Sequence, residues 1–327
     1  MRRFVRPIVV VSKCIEFEPV RWNGQMVSSD FVKKLKPYVN FVPVCPEVEI
    51  GLGVPRETLR IVSTNGGLKL MQPASNLDLT EKMLSFAHSF LDSLTTVDGF
   101  ILKSGSPSSA LKDARIYPGI RNSAPLARGP GVFGRAVLER FSHLAIEDER
   151  RLINPRVKEH FLRKLFAIAS FREVKATESL MELVRFHSEN KLLLNAYNQR
   201  ETRTLGRIVA NQENKPLAEI IRVYEHHLFE ALKRPARCGS NINVMMHIMG
   251  YFGKKLSKEE KSFFLDSIEK YRSARIPLSV PMNVLKAWVI RFQDDYLMKQ
   301  TFFEPYPEEL IDIGAMTTYC DRREYWK

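Results

Sequence analysis

Pro7-Ile8-Val9-Val10-Val11-Ser12-Lys13-Cys14 is a β-branched apolar run that stops on a serine, a lysine and a thiol. An apolar run of this length without alternation reads as a strand buried on both faces, as in a parallel sheet. Phe41-Val42-Pro43-Val44 reads as a second strand, ending at Cys45-Pro46. Leu59-Arg60-Ile61-Val62 alternates like a half-buried strand, and Gly99-Phe100-Ile101-Leu102 is again wholly apolar. Asp78 and Glu81 have capping-box spacing and predict the start of a helix carrying Met83, Phe86, Ala87, Phe90, Leu91 and Leu94 on one face. This βαβ order predicts a Rossmann-like α/β domain with a mostly parallel sheet. Sites in such sheets lie beyond the C-terminal strand ends. Cys14, Cys45 and the Ser104–Ser109 loop each follow a strand, so they are expected to meet at one crevice.

Outward from that core the pattern changes. Residues 117–134 are rich in Pro, Gly and Arg without periodicity and read as a surface loop. Strand signals then fade, and helical periodicity takes over through Leu162, Leu165, Phe166 and Ala169. Leu180, Leu183, Val184 and His187 share one helix face; Leu217, Ile220, Ile221, Tyr224, Leu228 and Leu232 form another. Ser257-Lys258-Glu259-Glu260 is a capping box ahead of Phe263, Phe264 and Ile268. Pro277 and Pro281 break the pattern before a last segment, Val284 to Phe292. With 327 residues, two domains are expected: α/β over 1–175 and all-α over 176–327, the change falling between Val174 and Ser179.

The chain carries 50 Lys+Arg against 37 Asp+Glu, a net charge of +13. This excess favours a polyanionic partner, nucleic acid before an anionic membrane surface; the bland reading is a basic surface that serves solubility. No apolar stretch approaches the ~20 residues that span a bilayer. Met1-Arg2-Arg3-Phe4-Val5 mimics the basic end of a signal peptide, but Ser12-Lys13 cuts the following apolar run short. Cys14, Cys45, Cys238 and Cys320 form no CxxC pair, which suits a reducing cytoplasm with thiols free or bound to metal. HExxH, GxGxxG and P-loop motifs are absent, and the adjacent His226-His227 point to different helix faces.

Three fragments concentrate the chemistry. They are Ser12-Lys13-Cys14 with Val20-Arg21-Trp22-Asn23-Gly24, then Pro43-Val44-Cys45-Pro46-Glu47-Val48-Glu49-Ile50-Gly51-Leu52-Gly53-Val54-Pro55-Arg56, then Leu102-Lys103-Ser104-Gly105-Ser106-Pro107-Ser108-Ser109. By themselves they say two thiols, a carboxylate, arginines and a Ser-rich loop beside a sheet. Together they resemble the signature of the thiouracil desulfurase (TudS-like) family: Ser-x-Cys with Val-Arg-Tyr-x-Gly, Cys-Pro-Glu-Val with Gly-Leu and Pro-Arg, and Lys-x-x-Ser-Pro-Ser-Cys-Gly. The second half resembles the helical YbgA-type domain through Arg185-Phe186-His187, Lys191 to Leu194, Asn243-Val244, His247, Gly250-Tyr251-Phe252, Tyr271-Arg272 and Ile276 to Pro281. The two in this order resemble the RudS-type tRNA 4-thiouridine desulfidases.

That resemblance implies a [4Fe–4S] cluster on three thiolates with one open iron, a soft Lewis acid for a thiocarbonyl sulfur. It implies metal ligation by Cys14, Cys45 and the residue at 109. Glu47 becomes the base or proton shuttle for water, and Ser106 a substrate-orienting or relay group. Arg21, Arg56, Lys103 and Ser108 are the expected substrate contacts. Tyr of the family's Val-Arg-Tyr is Trp22 here. The larger departure is Ser108-Ser109-Ala110 in place of Ser-Cys-Gly, which puts the cluster in doubt: a hydroxyl is a hard donor of high pKa. Ser109 ligates as an alkoxide, or Cys238 or Cys320 reaches the site, or the chemistry is lost and an RNA- or thionucleoside-binding relative remains. Ala110 for Gly further implies a reshaped loop. Basic groups in the helical half, Arg163-Lys164, Arg200, Arg203, Arg207, Lys233-Arg234, Arg237 and Lys254-Lys255, with Tyr197, Tyr251 and Phe252 nearby, are candidate contacts to tRNA.

Overall fold

The computed structural model describes residues 2–65, 67–120 and 124–311. The chain divides into two compact units, Arg6–Phe161 and Leu162–Lys327, the latter joined by Met1–Val5. The expected domain change at 175/176 falls at the end of a long helix that runs across this division.

The first unit is α/β. Strand β1 (Ile8–Ser12) is followed by α1 (Asp30–Leu35), β2 (Asn40–Val44), the single turn α2 (Pro46–Glu49), β3 (Arg60–Thr64), β4 (Gly67–Gln72) and β5 (Leu77–Asp78). Then come α3 (Thr80–Ser93), β6 (Gly99–Leu102), β7 (Ala114–Tyr117), β8 (Ala127–Gly129), α4 (Val132–Phe141) and β9 (Ala145–Asp148). The main sheet has the order β2-β1-β6-β9, all pairs parallel. Val9, Val10, Val11, Phe100, Ile101 and Leu102 are fully buried in it, as β-branched and apolar runs covered on both faces require. A second, mixed sheet runs β5-β4-β3-β7-β8.

Several expectations are corrected here. The strand expected at Leu59–Val62 forms as β3, shifted to Arg60–Thr64, in the second sheet. The 117–134 stretch contains β8 and the start of α4. Strand signals do not end at Val132, because β9 completes the parallel sheet; its Glu147 and Asp148 disguise it as surface sequence. Asp78 does not cap α3 by a capping box: the N-cap is Leu79, and Asp78 instead accepts from Thr80 N at 3.0 Å.

The second unit is helical, as expected. It contains most of α5 (Pro155–Ala176), then α6 (Leu180–Tyr197), α7 (Gln199–Ala210), α8 (Leu217–Ala231), α9 (Cys238–Tyr251), α10 (Lys258–Arg272), α11 (Ser279–Phe292) and α12 (Asp295–Met298). One core gathers Leu183, Phe186, Leu205, Tyr224 and Leu228; another gathers Met245, Phe252, Phe264, Leu285 and Trp288. The Ser257 capping box forms both of its bonds. Pro281 sits inside the first turn of α11, where a missing N–H leaves no helix bond unmade. Among the described residues no helix is long and apolar enough to cross a membrane.

Candidate functional site

In the main sheet the chain moves from β1 outward to β2 and then returns to the other side of β1 with β6, so the order reverses between β1 and β6. Crevices form at such a reversal, beyond the strand C-termini. Two bonds fix the three strand ends there: Lys13 N donates to Val44 O at 2.8 Å, and Lys103 N donates to Ser12 Oγ at 2.9 Å. The crevice is a cavity of about 500 Å3 whose lining includes Cys14, Cys45, Glu47, Lys103, Ser106 and Ser109. The three sequence-distant fragments thus meet in one pocket.

Its centre is an acid–hydroxyl cluster. Ser108 Oγ donates to Glu47 Oε1 at 2.6 Å, and Ser106 Oγ donates to the same oxygen at 3.3 Å. Ser106 and Ser108 hydroxyls lie 2.9 Å apart, and Ser108 and Ser109 hydroxyls 3.2 Å. The backbone N–H groups of Ser108 and Ser109 both donate to Ser106 Oγ, so one hydroxyl organises the turn. The other Glu47 oxygen accepts from the Cys45 thiol at 3.5 Å and lies 3.9 Å from the Arg56 guanidinium.

The serine turn is held from beneath by the start of α4. Gly131 N donates to Ala110 O at 2.8 Å, Val132 N to Pro107 O at 3.2 Å, and Gly134 N to Ser108 O at 2.9 Å. These are orphan N–H groups of a helix terminus, satisfied by the turn's carbonyls. The approach is so close that a Cβ on Gly134 would sit 2.2 Å from Ala110 O, and one on Gly131 2.3 Å from Ser108 O. Ala110 is not among the residues of positive φ; the turn's positive φ falls on Gly105, at 69°.

Both thiols are free and buried. Burial, reinforced by the Glu47 carboxylate, pushes Cys14 up to about 11 and Cys45 up to about 12; Lys103 and Arg21 oppose this at Cys14, Val48 N–H and Arg56 at Cys45. Neutral thiols of this kind are poor nucleophiles and must release protons to bind metal. The Ser109 hydroxyl lines the same cavity, and no group of three or more His, Cys, Asp or Glu side chains able to hold a metal occurs among the described residues. Two thiols and one hydroxyl do not fit a cluster held by three thiolates. Cys238 packs against the core of the helical unit; Cys320 lies outside the described residues.

The other expected contacts divide. Arg21 lines the cavity. Lys103 lines it too, but its ammonium is held by Glu149 at 2.6 Å and Ser104 O at 2.8 Å. Arg56 donates to Val20 O at 2.9 Å, Gly53 O at 3.0 Å and Cys45 Sγ at 3.8 Å, tying the first two fragments together. Ser108 is fully buried, and its hydroxyl donates to Glu47. In the helical half Arg163 and Lys164 are buried, which corrects their reading as surface cations; Arg203, Arg207, Lys233 and Arg234 are exposed. Sequence reasoning missed Arg115, Tyr117, Arg128 and Arg150, which also line the cavity. The alternation Arg115-Ile116-Tyr117 was the available signal, lost because the stretch from Tyr117 onward read as a loop.

An α/β crevice carrying two buried thiols and a carboxylate–serine cluster, joined to an all-helical unit, defines the class. A family model for 2-thiouracil desulfurase matches residues 9–149, and one for a protein family of unknown function, DUF1722, matches residues 191–307. The chain is 31% identical over 126 residues to an uncharacterized Escherichia coli K12 protein, YbgA, covering 38% of this chain and 75% of that one. It is 31% identical over 108 residues to an uncharacterized Bacillus subtilis 168 protein, YbbK, covering 31% of this chain and 72% of that one. A solved structure described as a [4Fe-4S]-dependent thiouracil desulfidase, TudS, is similar at 26% identity and a TM-score of 0.36, over 45% of this chain and 94% of its own. The chain belongs to the 2-thiouracil desulfurase family through its α/β half and to the YbgA-like DUF1722 family through its helical half.

Proposed function

We propose that the α/β cavity takes a thiopyrimidine, as in 4-thiouridine of tRNA, and replaces its sulfur with oxygen from water. The observation that carries this reading is the Glu47 carboxylate, held by Ser106 and Ser108 at the wall of a cavity inside a desulfurase-family domain. The net reaction is hydrolysis: the thiocarbonyl carbon gains the water oxygen, sulfur leaves as hydrogen sulfide, and no electrons are transferred. Ser106 lines the cavity and contacts Glu47, so a proton taken from the attacking water passes through its hydroxyl to the carboxylate. Arg56 positions that carboxylate and its neighbour Cys45. Ser104 Oγ, buried in the cavity lining without a partner among the described residues, is a further polar atom for the base. Iron–sulfur chemistry belongs to the family resemblance, and this donor set lacks the third thiolate that such a cluster needs.

A second reading is favoured by Ser109: a relative that binds RNA or a thionucleoside without turnover. Incubation of the full chain with 4-thiouridine RNA, following loss of thione absorbance and release of sulfide, separates the two. Turnover that falls about 10²–10⁴-fold in Glu47→Gln, the usual worth of a positioned base, supports the first. Tight binding with no sulfide release from the wild-type protein leaves the second.

A further inference from the structure

We infer that the mouth of this cavity is an RNA phosphate-binding subsite built on the paired arginines Arg115 and Arg128 and completed by Arg21 and Arg150. The inference rests on the thiopyrimidine reading of the same cavity and adds what carries the base there: a strand of RNA.

Arg115 on β7 and Arg128 on β8 are direct partners in an antiparallel register. Opposite partners project from the same face with Cβ atoms about 4.5–5.5 Å apart, and like charges in that position repel. Both residues are exposed, and both line the cavity. Tyr117, two residues along β7 and so on the same face, lines it as well. A fold that sets two arginines opposite each other on one sheet face, both lining the cavity, is stabilised when an anion binds between them.

The wider charge balance points the same way. Seven Lys or Arg side chains line the cavity against three carboxylates, Glu47, Glu57 and Asp113. Three of the cations are matched: Lys13 with Glu18, Arg56 with Glu47, and Lys103 with Glu149. The side chains of Arg21, Arg115, Arg128 and Arg150 have no ion pair or hydrogen bond among the described residues. Against the two remaining lining carboxylates, Glu57 and Asp113, these four guanidiniums leave an excess of two positive charges, which suits two successive phosphodiesters. Trp22, 49% exposed, adds an aromatic face at the same mouth, on which a splayed base of single-stranded RNA stacks, while the Tyr117 ring carries the Arg60 guanidinium 4.6 Å from its centroid. A cavity of about 500 Å3 is the size for one extruded nucleotide, not for a duplex.

The test uses the full chain and a short single-stranded RNA containing one 4-thiouridine, with binding read by fluorescence anisotropy over a salt series. The double variant Arg115→Ala/Arg128→Ala is expected to bind more than tenfold more weakly at low salt. Its slope of log K against log[salt] is expected to be shallower by about 1.4, two contacts at ~0.7 per single-strand phosphate. A second double variant, Arg21→Ala/Arg150→Ala, on other elements, is expected to act in the same direction. Unchanged slope and affinity in both, with wild-type melting curves, overturn the subsite. Competition by 4-thiouridine 5′-monophosphate at the RNA's own affinity overturns RNA as the occupant. Free 4-thiouracil titrated into wild-type protein tests the underlying pocket reading by itself. Failure there with an intact arginine-dependent slope sinks that reading and leaves the phosphate subsite standing.

Discussion

The Ser109 hydroxyl lies 3.2 Å from that of Ser108, at the end of a chain of hydroxyls that runs to Glu47. A hydroxyl so placed is a hydrogen-bonding group first and a metal donor only at the cost of a proton it holds far more tightly than a thiol does. Ser109→Cys restores a third thiol beside Cys14 and Cys45. Anaerobic reconstitution with iron and sulfide should therefore load more iron into that variant than into the wild-type protein, read by iron analysis and visible absorbance. Equal iron content would mean that the turn at 106–109 is not where a third ligand belongs. The two existing thiols make a prediction about pH. Burial raises both, so between pH 9.0 and about 11–12 the folded protein keeps protons that the unfolded chain releases. Stability from these groups is then full below about pH 9 and is lost as pH climbs through the folded values. Urea midpoints of metal-free protein should fall above pH 9, and Cys14→Ala/Cys45→Ala should flatten that fall.

At the scale of elements, the start of α4 decides whether the serine turn has its shape. Gly134→Ala forces a Cβ against the Ala110 carbonyl, and neither backbone yields cheaply. The expected loss is about 1–3 kcal/mol in urea unfolding, the range for overpacking a tight site, with a parallel loss of thiopyrimidine binding as Ser106 and Ser108 move off Glu47. Unaltered stability would place the α4 contact elsewhere. Elements also differ in how plainly they were written in the chain. β1 and β6 are unbroken apolar runs, and such runs have few alternatives to a covered strand. β9 was not legible because its last residues are carboxylates that turn toward Arg151 and the following backbone, at Glu147 and Asp148. β7 and β8 were lost for the opposite reason: arginines and glycines in short strands look like a loop until a partner strand is known.

On the scale of the whole molecule, a net charge of +13 makes any nucleic-acid binding steeply salt-dependent. The exposed Arg203, Arg207, Lys233 and Arg234 remain a proposed second contact for tRNA. Their joint replacement by Ala in the full chain should lower the salt slope for tRNA by roughly 0.7–0.9 per phosphate contact removed, measured by anisotropy. No change in slope would confine RNA contact to the α/β half. Arg163 and Lys164 show why charge in sequence is not charge on a surface: both fall on the covered side of a helix. The sequence by itself determined that the chain has an α/β half and a helical half, because apolar periodicity is a local property. It also named the thiols, the carboxylate and the serine turn, because strand ends in a parallel sheet point to one edge. Only the tertiary structure decided that Ser108 serves Glu47, that Arg56 and Lys103 are bound within the protein, and that Arg115 faces Arg128 across two strands. Those facts are set by strand register and by which groups meet in space, as Ser108 meets Glu47 across 61 residues and Lys103 meets Glu149 across 46, and no local pattern carries that information.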